Sequence, residues 1–208
     1  MRTFPDLRFR DLLNRSIEAR RALEAGHHEQ ALGDYRELAR EAARLCVTSA
    51  FVDSATAKAL EELGRYEKAF QFACAAVAKD PLSGPFQDHF GALSWRLRNL
   101  LGDPDRNPTE ESTPRLYKLL MEAGEADVSC HIAMARFHAA EGMLDDAELL
   151  LEAVTRLAPA SRDAWRARTT VARLAGNEAL VLVCEASAAE VGVGMALPFD
   201  VGGGMAEA

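Results

Sequence analysis

The sequence is poor in the features that mark a membrane protein, a secreted fold or an enzyme. No stretch approaches the roughly 18 consecutive apolar residues a membrane-spanning helix requires. The opening MRTFPDLRFRD alternates charged with apolar residues where an export signal would carry an apolar core. Four cysteines, Cys46, Cys74, Cys130 and Cys184, lie far apart with no C-x-x-C pair. They read as free thiols packed as small hydrophobes in a reducing compartment, so the expected location is the cytoplasm. Positive charge is in deficit: 24 Lys and Arg against 32 Asp and Glu leave a net charge of -8, and no overall field draws nucleic acid or an anionic membrane. A Gly-rich phosphate loop, an H-E-x-x-H helix and a G-x-S-x-G elbow are all missing. The carboxylate pairs Glu61 with Glu62, Glu110 with Glu111 and Asp145 with Asp146 read as solvated charge at helix ends or in a loop. The chain is therefore expected not to be an enzyme, with no catalytic residue, cofactor or metal.

What is present is helix-forming composition, rich in Ala, Leu, Glu and Arg, and a pattern written more than once. LGRYEKA, Leu63 to Ala69, runs on to Pro81, and EGMLDDA, Glu141 to Ala147, runs on to Pro159. In both, an Ala lies seven residues before the Gly (Ala57, Ala135), another five after it (Ala69, Ala147), and a Pro seventeen after it. This spacing predicts helix, tight turn at Gly, helix, then a Pro that ends the unit, with Ala where two helices approach closely. Gly26 carries the same template, with Ala19, Ala31 and Tyr35. Around Gly102 the reading is looser: helical periodicity over Phe86, Phe90, Leu93, Leu97 and Leu100, then a polar loop from Asp103 to Pro114, with Thr113 as N-cap and Pro114 as first helical residue of the next helix. Gly176 follows Trp165, with Thr169 and Val181 in place of the two alanines.

The pattern resembles the tetratricopeptide repeat. The resemblance implies an all-α fold of about five antiparallel hairpins, stacked as a right-handed α-solenoid. The corresponding organisation is a repeat domain over 1–191, with hairpins at about 6–46, 48–81, 84–124, 127–159 and 161–191, followed by a flexible Gly-rich tail, 192–208. The last hairpin is expected to present a more polar outer face, since it has no neighbour on one side.

In this repeat family the first helix of each hairpin lines a concave groove. Counting six residues back from each turn Gly gives Arg20, Lys58 and Arg136; the last hairpin offers Arg166 and Arg173, and the third adds Arg96. Such a basic stripe suits an acidic peptide or a terminal carboxylate. Leu13, Leu23, Phe51 and Ile132, with Trp95, supply apolar pockets between the charges. The alternative is that these are ordinary surface charges, paired with Glu24, Glu61 or Glu62. The family's carboxylate clamp, which uses Lys and Asn at set inward positions, finds Ser16, Arg20, Ala55, Ser129 and Ala133 here; only Arg20 fits, so that clamp is not expected.

Cys130, His131, Met134 and His138 share a helix but stand at packing offsets and read as core, and His27 with His28 reads as an exposed turn pair. The loop from Asp103 to Pro114 reads as a tolerated surface insertion, the alternative being a partner contact or a regulatory site at Thr109, Ser112 or Thr113. The leading functional expectation is a non-catalytic scaffold or adaptor that binds a peptide or helix of another protein. The alternatives are a dedicated chaperone or assembly factor, and a structural subunit that self-associates through its terminal hairpin or through Met195–Phe199 of the tail.

Overall fold

The structure is a computed structural model that describes residues 7–44, 49–103 and 111–193. Among these residues all regular structure is helical: α1 (Leu7–Glu24), α2 (His28–Arg44), α3 (Ala50–Glu62), α4 (Tyr66–Lys79), α5 (Gly84–Gly102), α6 (Ser112–Glu122), α7 (Val128–Ala140), α8 (Leu144–Leu157), α9 (Arg162–Leu174) and α10 (Glu178–Val193). The all-α fold implied by the repeats is thus what the described residues adopt. No helix among the described residues is long and apolar enough to cross a membrane.

The glycine turns are built alike. Gly26, Gly64, Gly142 and Gly176 each take a left-handed backbone, with φ of 81°, 71°, 79° and 71°. At Gly64 the amide bonds Glu61 O at 2.9 Å and the next amide, Arg65, bonds Leu60 O at 2.8 Å; at Gly142 the equivalent bonds reach Ala139 O and His138 O. This double closure satisfies the carbonyls left open at a helix end, and only glycine enters the left-handed region without strain. Ala69 and Ala147 then bond back to the carbonyls of Arg65 and Met143, starting the second helix.

Alanine permits the close approach that follows. Ala19, Ala31, Ala57, Ala69, Ala135 and Ala147 are all fully buried. The prolines act as the spacing predicts: before Pro81 and Pro159, Asp80 and Ala158 leave helical geometry at φ/ψ of −141°/80° and −128°/66°. Ser49, Asp127 and Ser161 cap α3, α7 and α9 by accepting from the amides of Val52, Cys130 and Ala164.

The helices group into two compact units. The first runs to Leu100 and takes in Lys118–Glu125; the second holds Leu101–Tyr117 and resumes at Ala126. In the first, α1 packs on α2, α2 on α3 and α3 on α4, with Ala19, Ala22, Ala31, Tyr35 and Leu38 forming one core cluster. Phe70 of α4 stacks on Phe90 of α5 at 5.3 Å between ring centroids. In the second, α7 packs on α8, α8 on α9 and α9 on α10, around Ala135, Ala147, Leu151 and Val171.

Several local expectations need correction. Gly102 is not a turn glycine: it is the last residue of α5, and a Cβ there would meet Ser129 Oγ at 2.9 Å. The fifth left-handed glycine is Gly124, with φ 72°, which closes α6 rather than opening a second helix. Helix α6 begins at Ser112, so Thr113 lies inside its first turn and is buried, which closes it to a modifying enzyme. Leu101, not Leu100, completes the buried face with Leu93 and Leu97; Leu100 is exposed. The outer face of α10 is also less polar than expected, because Leu182 and Val183 stand exposed beside the small residues Ala179 and Ala186. Helix α10 extends to Val193 and includes Gly192; the remainder of the tail, 194–208, lies outside the described residues, as do Thr109 and Cys46.

Candidate functional site

The first unit holds a half-open cavity of about 540 Å³, within the range of side-chain and small-ligand sites. Helix α1 supplies Arg20, Leu23 and Glu24; α3 supplies Phe51, Ser54, Ala55, Lys58 and Glu62; α5 supplies Pro85 and Phe86; and α2 closes the floor with His28 and Tyr35. Four of the residues singled out from the sequence, Arg20, Leu23, Phe51 and Lys58, therefore meet around one space. The chain delivers them there because α1 and α3 are successive first helices whose turn glycines set a common register.

The charges are balanced rather than uniformly basic. Arg20 Nε bonds Glu24 Oε1 at 2.8 Å on its own helix, whereas Lys58 is exposed and has no ion pair among the described residues. Lys58 is thus the cation available to a visiting anion. The walls are apolar, with Phe51 43% exposed and Leu23 and Phe86 half-buried.

The floor contains two groups the sequence reading did not identify. Tyr35 is fully buried, and its hydroxyl has no hydrogen-bond partner among the described residues; the same holds for the buried Nδ1 of His28. His28 is the first residue of α2 and half-buried, not part of an exposed turn pair. The two are seven residues apart on α2, two turns along one face. Burial pushes the Tyr35 phenol above its ordinary pKa, Arg20 opposing and Glu24 and Asp34 reinforcing, so it remains a hydrogen-bond donor. The aromatic nine residues after Gly26 was visible in the sequence; that its polar tip lacks a partner was not.

The other predicted residues lie elsewhere. Arg96 Nη1 bonds Glu61 Oε1 at 3.1 Å and its guanidinium sits over the Tyr66 ring at 4.8 Å. His89 Nε2 lies 2.9 Å from the other oxygen of Glu61, which makes that carboxylate a half-buried junction of α3 and α5, not the solvated helix-end charge expected. Trp95 is 62% exposed and does not line the cavity. In the second unit Ile132 packs against the core of Ala135, Ala147, Leu151 and Val171, and Arg136 is exposed on α7. Arg166 lies 3.9 Å from Asp163, and Arg173 is paired with Glu185. The side chain of Leu13 is outside the described residues.

The α7 histidine–cysteine group is core chemistry. Cys130 and Met134 are buried, burial pushes the Cys130 thiol up to about 11, and His131 Nδ1 is 2.7 Å from the Tyr117 hydroxyl. Among the described residues no three His, Cys, Asp or Glu side chains converge as a metal site would require.

No protein-family model matches the chain, and neither does any curated protein. Solved structures with a similar trace include MamA, residues 41 to the end, from Desulfovibrio magneticus RS-1, at 14% identity over 89% of this chain and 97% of that one, with a TM-score of 0.41. YrrB, described as a TPR protein with an unusual peptide-binding site, is 19% identical over 83% of this chain and 82% of its own, with a TM-score of 0.40. Similarities of this size carry no functional argument.

Proposed function

We propose that the chain is a non-catalytic, cytoplasmic interaction scaffold that binds a peptide segment of another protein in the cavity of its first unit. One observation supports this above the rest: Arg20, Leu23, Phe51 and Lys58, from two successive first helices, surround a single open space whose apolar walls and one unpaired cation suit a side chain next to an acidic residue.

The test is a selection of random dodecapeptides displayed on phage against the immobilised full chain. Recovered peptides are expected to bind with a Kd that rises at least about tenfold in Phe51→Ala and in Lys58→Glu, since each removes a wall or reverses a charge at the contact. Both positions are exposed, so folding should be little changed. Peptides that bind both variants as well as the parent chain would place the binding surface elsewhere.

A further inference from the structure

Six residues after a turn glycine stand Leu32, Phe70, Glu148 and Leu182, one on each of four second helices. Leu32 and Phe70 are fully buried, and Phe70 stacks on Phe90 of α5, the first helix that follows. Glu148 accepts from Arg168 of α9, again the helix that follows, at 2.7 Å. Leu182 is 68% exposed, because among the described residues no helix follows α10. Val183, Ala186 and Ala189 stand exposed beside it along α10. The other terminal helix is finished differently. Five and eight residues before the turn glycine, where α3 buries Ala59 and Thr56, α1 carries the exposed Arg21 and Glu18. One terminal helix thus shows a face suited to water, and the other shows an apolar one.

We propose that the apolar segment directly beyond α10, Met195 to Phe199 of the same chain, folds back over this face and sets Phe199 against Leu182 and Val183. Phe199 lies six residues past Val193, the end of α10, a reach of about 20 Å when extended. Leu182 lies eleven residues before Val193, about 16 Å along the helix, so the reach suffices. Gly194 permits the reversal. Pro198 disfavours helix at Leu197, and an extended segment turns Met195, Leu197 and Phe199 to one side. A second copy suits the face less well. The exposed charges of α10 are Glu178, Glu185 and Glu190, with no Lys or Arg on the helix, so two such faces together set acid against acid. One side of a 16-residue helix, about 24 Å long and about 10 Å wide, is also far smaller than the roughly 800 Å² per partner of a stable interface. The segment Met195 to Phe199 carries no charged side chain and needs no such area, since its tether holds it at high local concentration. This inference concerns the second unit and stands independently of the peptide-binding cavity.

The experiment uses the full chain with its Leu and Val methyl groups and Phe rings labelled for nuclear magnetic resonance. Nuclear Overhauser contacts are expected from the Phe199 ring to the methyls of Leu182 and Val183, in a protein that sediments as a single chain at low and high concentration. Phe199→Ala should abolish these contacts and shift both methyl signals. Leu182→Glu should move the Phe199 ring signals to those of a free peptide of the same sequence. Leu182 is largely exposed to begin with, so the helical content of that variant by circular dichroism should match the parent. Methyl signals of Leu182 and Val183 that stay unchanged in Phe199→Ala overturn the proposal. A dimer that Leu182→Glu returns to single chains assigns the face to a second copy and overturns it too. So do contacts that appear only between differently labelled copies in a mixed sample.

Discussion

Gln87 and Trp165 occupy one structural position in two different units. Each lies six residues beyond a proline and donates a side-chain N–H to that proline's carbonyl, Gln87 Nε2 to Pro81 O at 3.1 Å and Trp165 Nε1 to Pro159 O at 2.8 Å. A proline has ended the preceding helix in both places, and its carbonyl would otherwise depend on water. Two chemically unlike side chains thus tie the start of a first helix to the end of the helix before it.

Trp165→Phe removes the indole donor while keeping an aromatic ring under the Arg168 guanidinium, 5.9 Å away. The bond is exposed, so the loss should fall toward the low end of the about 0.5–1.5 kcal/mol that a hydrogen bond contributes net. Urea denaturation of the two proteins measures it. A cost above about 3 kcal/mol would mean that the ring's packing, not the bond, holds this junction.

The buried alanines make a steeper prediction. Ala69 and Ala147 have no exposed surface, so Ala69→Leu or Ala147→Leu must force the paired helices apart and should cost about 1–3 kcal/mol. Ala179→Leu, on the exposed side of α10, is the control and should change stability by no more than about 0.5 kcal/mol. Thermal unfolding followed by circular dichroism separates the two cases. Equal melting temperatures for all three variants would contradict the close approach that the alanines permit.

The hairpins were legible because their constraints are local: a left-handed turn needs glycine, a close crossing needs alanine, and a helix stops before proline. Gly124 was missed because Tyr117 and Ser129 stand where the template has Ala, so a turn of the same geometry carried none of the accompanying signal. The candidate site was legible in part. Equivalent offsets on successive first helices brought Arg20, Leu23, Phe51 and Lys58 together, but pairing cannot be read from spacing, and Arg20 and Arg96 spend their charge on Glu24 and Glu61. That the buried Tyr35 hydroxyl and His28 Nδ1 lack a partner among the described residues depends on what fails to reach them in three dimensions, which no residue type announces.

Cysteine reactivity gives a third prediction. Cys130 and Cys184 are fully buried and Cys74 is half-buried; burial raises the pKa of all three thiols, that of Cys130 to about 11. The thiolate is the reactive form. Under native conditions at pH 8, iodoacetamide should therefore label Cys74 well before Cys130 and Cys184, and urea should bring the three to similar rates. Peptide mass spectrometry reads each site separately. Rapid native labelling of Cys130 would show that α7 opens more readily than its packing implies.

The last prediction concerns acid. His131 sits beside the Tyr117 phenol, and burial lowers its pKa, with Asp127 opposing. In the unfolded chain the imidazole titrates near its ordinary value, about 6.5. A base with a depressed native pKa binds fewer protons folded than unfolded, so stability rises with pH across the window between the two values. The contribution is fully present above about pH 6.5 and is lost as the pH falls toward the native value. His131→Phe removes the titration and should flatten this segment of the stability curve. Tyr117→Phe retains it while losing the hydrogen bond at every pH. Urea midpoints at several pH values between about 5 and 7.5 test both, and a slope of the parent protein that persists unchanged in His131→Phe would assign the acid sensitivity to another group.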